Sequence, residues 1–229
     1  MQYWIMGGGG IGQALAKACI ARGEHVVLFS RTDPKLSQIH WLPVDNTDEQ
    51  ALAAATQDLP LPDRVINTLG MLQQGRQQPE KRLEQLSEAA LLNSIHINTW
   101  PTLAMAQILA TRLTRTQPLL FDALSARVGS ISDNRGGGWY SYRISKAALN
   151  MALKTISIEW QRRFPAAMVV GLHPGTVDTP LSAPFSRGLP EGQLHTPSQA
   201  ALNLLEVLDT RTLAHSGRIF AWDGKEIQP

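Results

Sequence analysis

A chain of 229 residues, 43% of them hydrophobic, can bury a sizeable core as one α/β unit, and no linker or low-complexity tract divides it, so a single domain over 1–229 is expected. A formal net charge of +2 is too small to suggest a nucleic-acid surface, and basic pairs such as "QRRF" read as the solvated end of a helix. One cysteine excludes an internal disulfide and no apolar segment is long enough for a membrane span or a signal peptide, so the expectation is a cytoplasmic protein with neither nucleic-acid nor membrane partners and no metal.

In chain order, "QYWIM" reads as a strand and "MGGGGIGQALA" follows it. Gly7, Gly9 and Gly12 satisfy G-x-G-x-x-G, with Gly10 and Ile11 where a helix opens. Such glycines allow a tight turn, close backbone approach to a pyrophosphate and free N–H groups facing its charge. Alone, the pattern is often no more than a turn. A strand before it, a helix after it and a second strand at βαβ distance mark it as dinucleotide-binding. The helix "IGQALAKACIARG" ends at Gly23, a C-cap candidate, and its apolar pattern carries Cys19 as a buried thiol rather than a nucleophile. The second strand, "HVVLFSRT", ends in Ser30 and Arg31, where a carboxylate would accept from a free ribose 2'-hydroxyl. A guanidinium suits a 2'-phosphate instead, so NADP(H) is preferred over NAD(H). The alternative is a solvated arginine after a strand.

"WLPVD", "RVINTLG", "PLLFDALS", "MVVGLHPG" and "GRIFAWDG" complete seven apolar runs bounded by turn residues. Between them "SEAALLNSIHINTWPTLAMAQILATRL" and "SKAALNMALKTISIEWQRRF" read as long amphipathic helices. Strands alternating with helices need crossover connections, hence a Rossmann-type, doubly wound α/β fold: a mostly parallel seven-stranded sheet with helices on both faces. Ligands of such sheets lie beyond the carboxyl ends of the strands.

"YSYRISK" holds two tyrosines and a lysine. Residues four apart share a helical face, which pairs Tyr142 with Lys146 and leaves Tyr140 facing Ile144. A phenol near pKa 10 is a poor acid at neutral pH, and a neighbouring ammonium is expected to lower it into the working range. The competing reading is a partly exposed aromatic beside a lysine.

Taken together, the glycine turn, "VDNTD", "NTLG", Asn98, "LSARVGS", "YSYRISK" and "HPGTVDTP" come in the order of the short-chain dehydrogenase/reductase family, which the chain resembles over nearly its whole length. The tail "RIFAWDGKEIQP" and the long segment "SISDNRGGGWYSYRISKAALN" resemble its C-factor-like carbonyl reductases. The resemblance implies that Asp45 meets adenine and that Asn67, Thr68, Leu69 and Gly70 stand at the cofactor, although Thr68 and Leu69 depart from the family's N-N-A-G. Asn67 would brace the central strands. Asn98 would hold a water in the proton relay to Lys146; without the family, it is a polar residue capping or breaking a helix before Pro101. Pro174, Gly175, Val177 and Thr179 would lie against the nicotinamide, beside Tyr142 and Lys146.

Where the family has a substrate-binding serine, this chain has Ala126. Ser125 is the favoured replacement, although successive strand residues face opposite ways, and Ser130 is the alternative. The segment 181–197 has the content of a mobile lid, with Trp139 and Tyr140 as the opposite wall. His173 and Asp178 are assigned no chemistry. The resemblance implies a homodimer or homotetramer built on the long helices. The expected function is an NADP-dependent oxidoreductase acting on a small-molecule carbonyl or alcohol; the alternative, suggested by Ala126, is a dinucleotide-binding regulatory protein with little turnover.

Overall fold

The structure is a computed structural model that describes residues 1–186, 188, 190 and 192–229. Its chain runs β1 (Gln2–Met6), α1 (Gly10–Ala21), β2 (His25–Ser30), β3 (His40–Pro43), α2 (Glu49–Thr56), β4 (Arg64–Asn67), α3 (Glu88–Asn98), α4 (Trp100–Ala110), β5 (Leu119–Leu124) and α5 (Tyr140–Arg163). It continues through β6 (Ala167–His173), β7 (Thr176–Val177), β8 (Leu194–His195), α6 (Pro197–Asp209), β9 (Ile219–Ala221) and β10 (Glu226–Ile227). The main sheet has the order β10-β9-β6-β5-β4-β1-β2-β3. Every pairing is parallel except β9 with β10. All seven predicted strands are present. The eighth, Glu226–Ile227, corrects the count of seven: two residues are too few to show an alternation.

From β1 the chain winds through β2 and β3 to one edge, then returns to the other side of β1 as β4. This reversal between β1 and β4 is the topological switch point, where crossovers on opposite faces open a crevice. Strand residues buried on both faces explain the near-continuous apolar runs. One face, carrying Trp4, Phe29, Phe121 and Val169, packs under α4 and α5; the other, carrying Ile5, Leu28, Leu124 and Leu172, packs under α1 and α6.

Two helix boundaries differ from expectation. The long apolar segment before Leu113 is two helices, because Pro101 has no N–H for the Ile97 carbonyl and Thr99 leaves helical geometry at φ −121°. Helix α5 begins at Tyr140, five residues before the "SKAALN" pattern. Gly23 behaves as expected: at φ +76° it follows α1, and its N–H bonds the Ile20 carbonyl.

Candidate active site

The glycine turn after β1 is shaped by backbone contact. A Cβ on Gly12 would lie 2.0 Å from the Gly7 carbonyl oxygen, and Gly7 itself sits at φ +103°, so neither position accepts a side chain. A Cβ on Gly9 would meet nothing within 4 Å, so that residue faces open space. Helix α1 starts there with no side-chain cap and no acid in its first turn, whereas Asp48, Ser87 and Thr196 cap α2, α3 and α6. Free N–H groups over an open, uncharged cradle fit a pyrophosphate. Gly10, Ile11 and Gly12 border this space together with Thr179 and Leu181.

At the ends of β2 and β3 a second hollow is bordered by Gly7, Gly9, Ser30, Arg31, Asp45, Thr68 and Gly70. The Arg31 guanidinium is 74% exposed and 3.8 Å from the Asp45 carboxylate. Bonds from the Thr47 N–H and hydroxyl, with Arg31 nearby, hold the Asp45 carboxyl below its usual range. The Ser30 hydroxyl is not free: it donates to the Thr32 carbonyl and accepts from the Trp41 indole. Thr32, Thr47 and His96 also border this hollow, and none of them carried a sequence signal.

Between the two ends, Thr68 does what was expected of Asn67. The Thr68 hydroxyl donates to the Met6 carbonyl (2.8 Å), tying β4 to β1. Asn67 lies behind the crevice wall: its amide donates to the Thr102 hydroxyl of α4 (2.7 Å) and its oxygen accepts from the Leu69 N–H. Thr68, Leu69 and Gly70 form the wall itself. The reason is alternation: the Asn67 side chain points toward α4, and the crevice opens beyond it.

The third hollow, about 340 Å³, collects Tyr142, Lys146, Ser125, Pro174, Gly175, Val177 and Thr179 with Leu72, Trp139 and Phe185. Tyr142 and Lys146 share one face of α5, and the Lys146 Nζ lies 6.0 Å from the phenol ring centre while donating to the Leu124 carbonyl (2.7 Å). Both are buried. The expectation that Lys146 lowers the Tyr142 pKa is overturned here: burial pushes the phenol up to about 12 and the ammonium down to about 7. Losing water costs each charged form more than a neighbour at this distance returns.

The two serine candidates separate. Ser125 borders the cavity, but its hydroxyl donates to the Asn150 amide oxygen on α5. Ser130 turns away, donating to the Gln228 carbonyl (2.6 Å) at the far end of the chain. Asn150 continues the face of Tyr142 and Lys146 by one more four-residue step, a spacing that could have marked it. Asn98 is buried behind the cavity; its side chain bonds both backbone groups of Met71 and the Ser145 hydroxyl, fixing α3 to the residue before Lys146.

Of the lid segment 181–197, Leu181, Ser182 and Phe185 border the cavity, while residues 187, 189 and 191 lie outside the described residues. The Phe185 ring packs on Trp139 at 5.0 Å, and Trp139 meets Tyr142 edge to face at 6.4 Å. Tyr140 is not part of this wall; it begins α5. The missed residue here is Glu80. Its buried carboxylate accepts from the Ser141 N–H and hydroxyl, and its carbonyl accepts from the Trp139 N–H.

The three hollows share walls and form one crevice along the carboxyl ends of β1, β4, β5 and β6, with an anion cradle in the middle and a phenol–lysine pair at one end. The model of the short chain dehydrogenase family matches residues 4–189. The chain belongs to this family of nicotinamide-dependent oxidoreductases. It is 32% identical over 227 residues to 1-hydroxy-2-glutathionyl-2-methyl-3-butene dehydrogenase of Rhodococcus sp. (strain AD45), covering 96% of this chain and 95% of that one. It is 38% identical over 104 residues to the C-signal protein of Myxococcus xanthus, covering 45% of this chain and 57% of that one, in keeping with the C-factor-like resemblance. In fold it is similar to NADPH-bound carbonyl reductase from chicken fatty liver (TM-score 0.84, 22% identity, covering 100% and 94% of the two chains). No helix among the described residues is long and apolar enough to cross a membrane.

Proposed function

We propose that this chain, as a single domain, is an NADP-dependent oxidoreductase that transfers hydride between the nicotinamide and a carbonyl or alcohol substrate. The observation that carries the proposal is the buried pair Tyr142–Lys146 on one face of α5, at the end of a crevice that begins at the uncapped α1 N-terminus. When bound, the dihydronicotinamide supplies the hydride. The chain supplies the rest: the α1 N–H groups hold the pyrophosphate, and Tyr142 gives a proton to the substrate oxygen. A phenol pushed up to about 12 keeps its proton at neutral pH until an alkoxide, a far stronger base, develops beside it. Lys146 is seated on the Leu124 carbonyl beside the phenol, and Asn98 fixes the segment that returns the proton. The preference for NADP rests on Arg31 and on the absence of a carboxylate at the end of β2, and it accords with the NADPH-bound state of the carbonyl reductase similar in fold.

Apolar walls from Leu72, Trp139 and Phe185 suit aromatic ketones and aldehydes. NADPH consumption against a panel of such carbonyls, with NADH in parallel, tests the reading. Tyr142→Phe is expected to lower kcat at least about 10²-fold with little change in NADPH affinity; undiminished turnover refutes the assignment. A regulatory, weakly catalytic role is favoured by Ala126 and by the commitment of the Ser125 hydroxyl to Asn150. Tight NADPH binding with no carbonyl turned over selects it. Assembly is read as a homodimer through α4 and α5, where Leu103, Ala106, Ala148, Met151 and Ala152 line an apolar groove, and a cytoplasmic location suits the lone buried thiol.

A further inference from the structure

Hydride arriving at a carbonyl carbon leaves negative charge on the oxygen, and two preorganised donors stabilise that charge more than one. Given the function proposed above, Tyr142 is one donor. Four hydroxyls around the cavity are already committed: Ser125 donates to Asn150, Thr68 to the Met6 carbonyl, and Thr179 and Ser182 to the Val177 carbonyl; that of Thr176 bonds no group among the described residues, but it lies on β7, past the end of β6. Lys146 donates to Leu124, and Ala126 has no hydroxyl.

His173 differs from the committed groups. It ends β6, borders the cavity, and its side chain bonds no group among the described residues. Val169 packs in the core beneath α5, and alternation along β6 puts His173 on that same face. Strands β5 and β6 pair as far as Leu124–Leu172, so His173 stands beside Ser125 and Ala126 where the two strands end. Burial holds its pKa at about 4; Arg127, His195 and Lys146 push the same way and Asp223 opposes them. The ring is therefore neutral and carries one N–H. Its Nδ1 is sealed in the interior without a partner among the described residues. An N–H orphaned there is rarer than an unpaired lone pair, which assigns the proton to Nε2. A neutral imidazole is too weak an acid to surrender that proton, yet it donates a hydrogen bond to a developing oxyanion.

We propose that His173 donates, through Nε2–H, a hydrogen bond to the substrate carbonyl oxygen, in the place where Ala126 offers no hydroxyl. In reduction, hydride adds to the carbonyl carbon, the π pair moves to oxygen, and the Tyr142 proton ends on that oxygen. His173 keeps its own proton throughout.

Steady-state kinetics of His173→Leu, His173→Gln and His173→Leu/Ala126→Ser with a diaryl diketone test the proposal, with NADPH affinity read from tryptophan fluorescence. His173→Leu is expected to lose about 10²-fold in kcat/KM, the cost of one oxyanion donor, with NADPH affinity within about twofold. His173→Gln, which keeps an N–H, and the double variant, which adds a hydroxyl, are each expected to regain about tenfold or more of that loss. A loss that neither corrects marks the imidazole as packing and overturns the proposal, as does a His173→Leu variant equal to the parent. A parent that binds NADPH but reduces no carbonyl overturns the functional reading itself, and this one with it. In the unmodified protein, ¹⁵N shifts of the His173 ring should show a neutral Nε2–H tautomer at pH 6; an imidazolium there would also refute it.

Discussion

Tyr142, Lys146 and Asp122 are each buried, and burial moves each toward its uncharged form. Asp122 is the extreme case: it sits mid-β5, neither carboxyl oxygen has a partner among the described residues, and its pKa is raised well above the usual carboxylate range, with Arg64 opposing. A group whose folded pKa is raised binds more protons folded than unfolded, so its contribution is fully present below the unfolded pKa of about 4 and is lost as pH rises through the folded value. Asp122→Asn should therefore match the parent's Tm near pH 4 and exceed it at pH 8, by about 2–4 °C for each kcal/mol of carboxylate penalty removed. Thermal melts across that range check it, and a variant less stable at pH 8 would contradict it. At this scale the sequence was informative about identity but silent about state. Four-residue spacing selected Tyr142 over Tyr140, yet nothing local revealed that burial outweighs Lys146 at the phenol, or that the Ser30 and Ser125 hydroxyls are committed to Trp41 and Asn150.

The start of α5 shows how an element can depend on a distant partner. Gly137, Gly138 and Trp139 occupy left-handed conformations in succession (φ +60°, +64° and +52°), which explains a glycine run before the site and leaves Trp139 strained. Glu80 holds the strained residue by its carbonyl and caps the first turn with its carboxylate. Glu80→Ala should cost about 1–3 kcal/mol, as a cap and buried hydrogen bonds are lost together. Chemical denaturation measures this, with a fall in kcat as Trp139 and Tyr142 shift; unchanged stability would show that the cap is idle. "QQPEK" gave no hint of such a role, because a pairing across about 60 residues leaves no local period. The break between α3 and α4, in contrast, was half legible in Pro101. What stayed hidden is the Thr99 hydroxyl on the Ser145 carbonyl, which fixes the break against α5.

For the whole molecule, alternating βα units made the parallel sheet and its crevice readable, since crossovers leave few other topologies. The antiparallel edge β10 was not readable, although it brings the tail to the loop after β5, where Ser130 and Ser132 bond Gln228 and Pro229. The apolar α4–α5 face is the one proposed above to carry the dimer: Met151 is 67% exposed beside Ala148 and Ala152. Met151→Asp should convert a dimer to monomer in analytical ultracentrifugation, because an unpaired carboxylate would be desolvated in the interface; a dimer that persists would place the contact elsewhere. Trp139, wedged between Tyr142 and Phe185, makes occupancy of the cavity an optical event. Any ligand that parts the indole from its two aromatic neighbours changes its emission, so arrival and departure can be timed in stopped flow without attaching a dye.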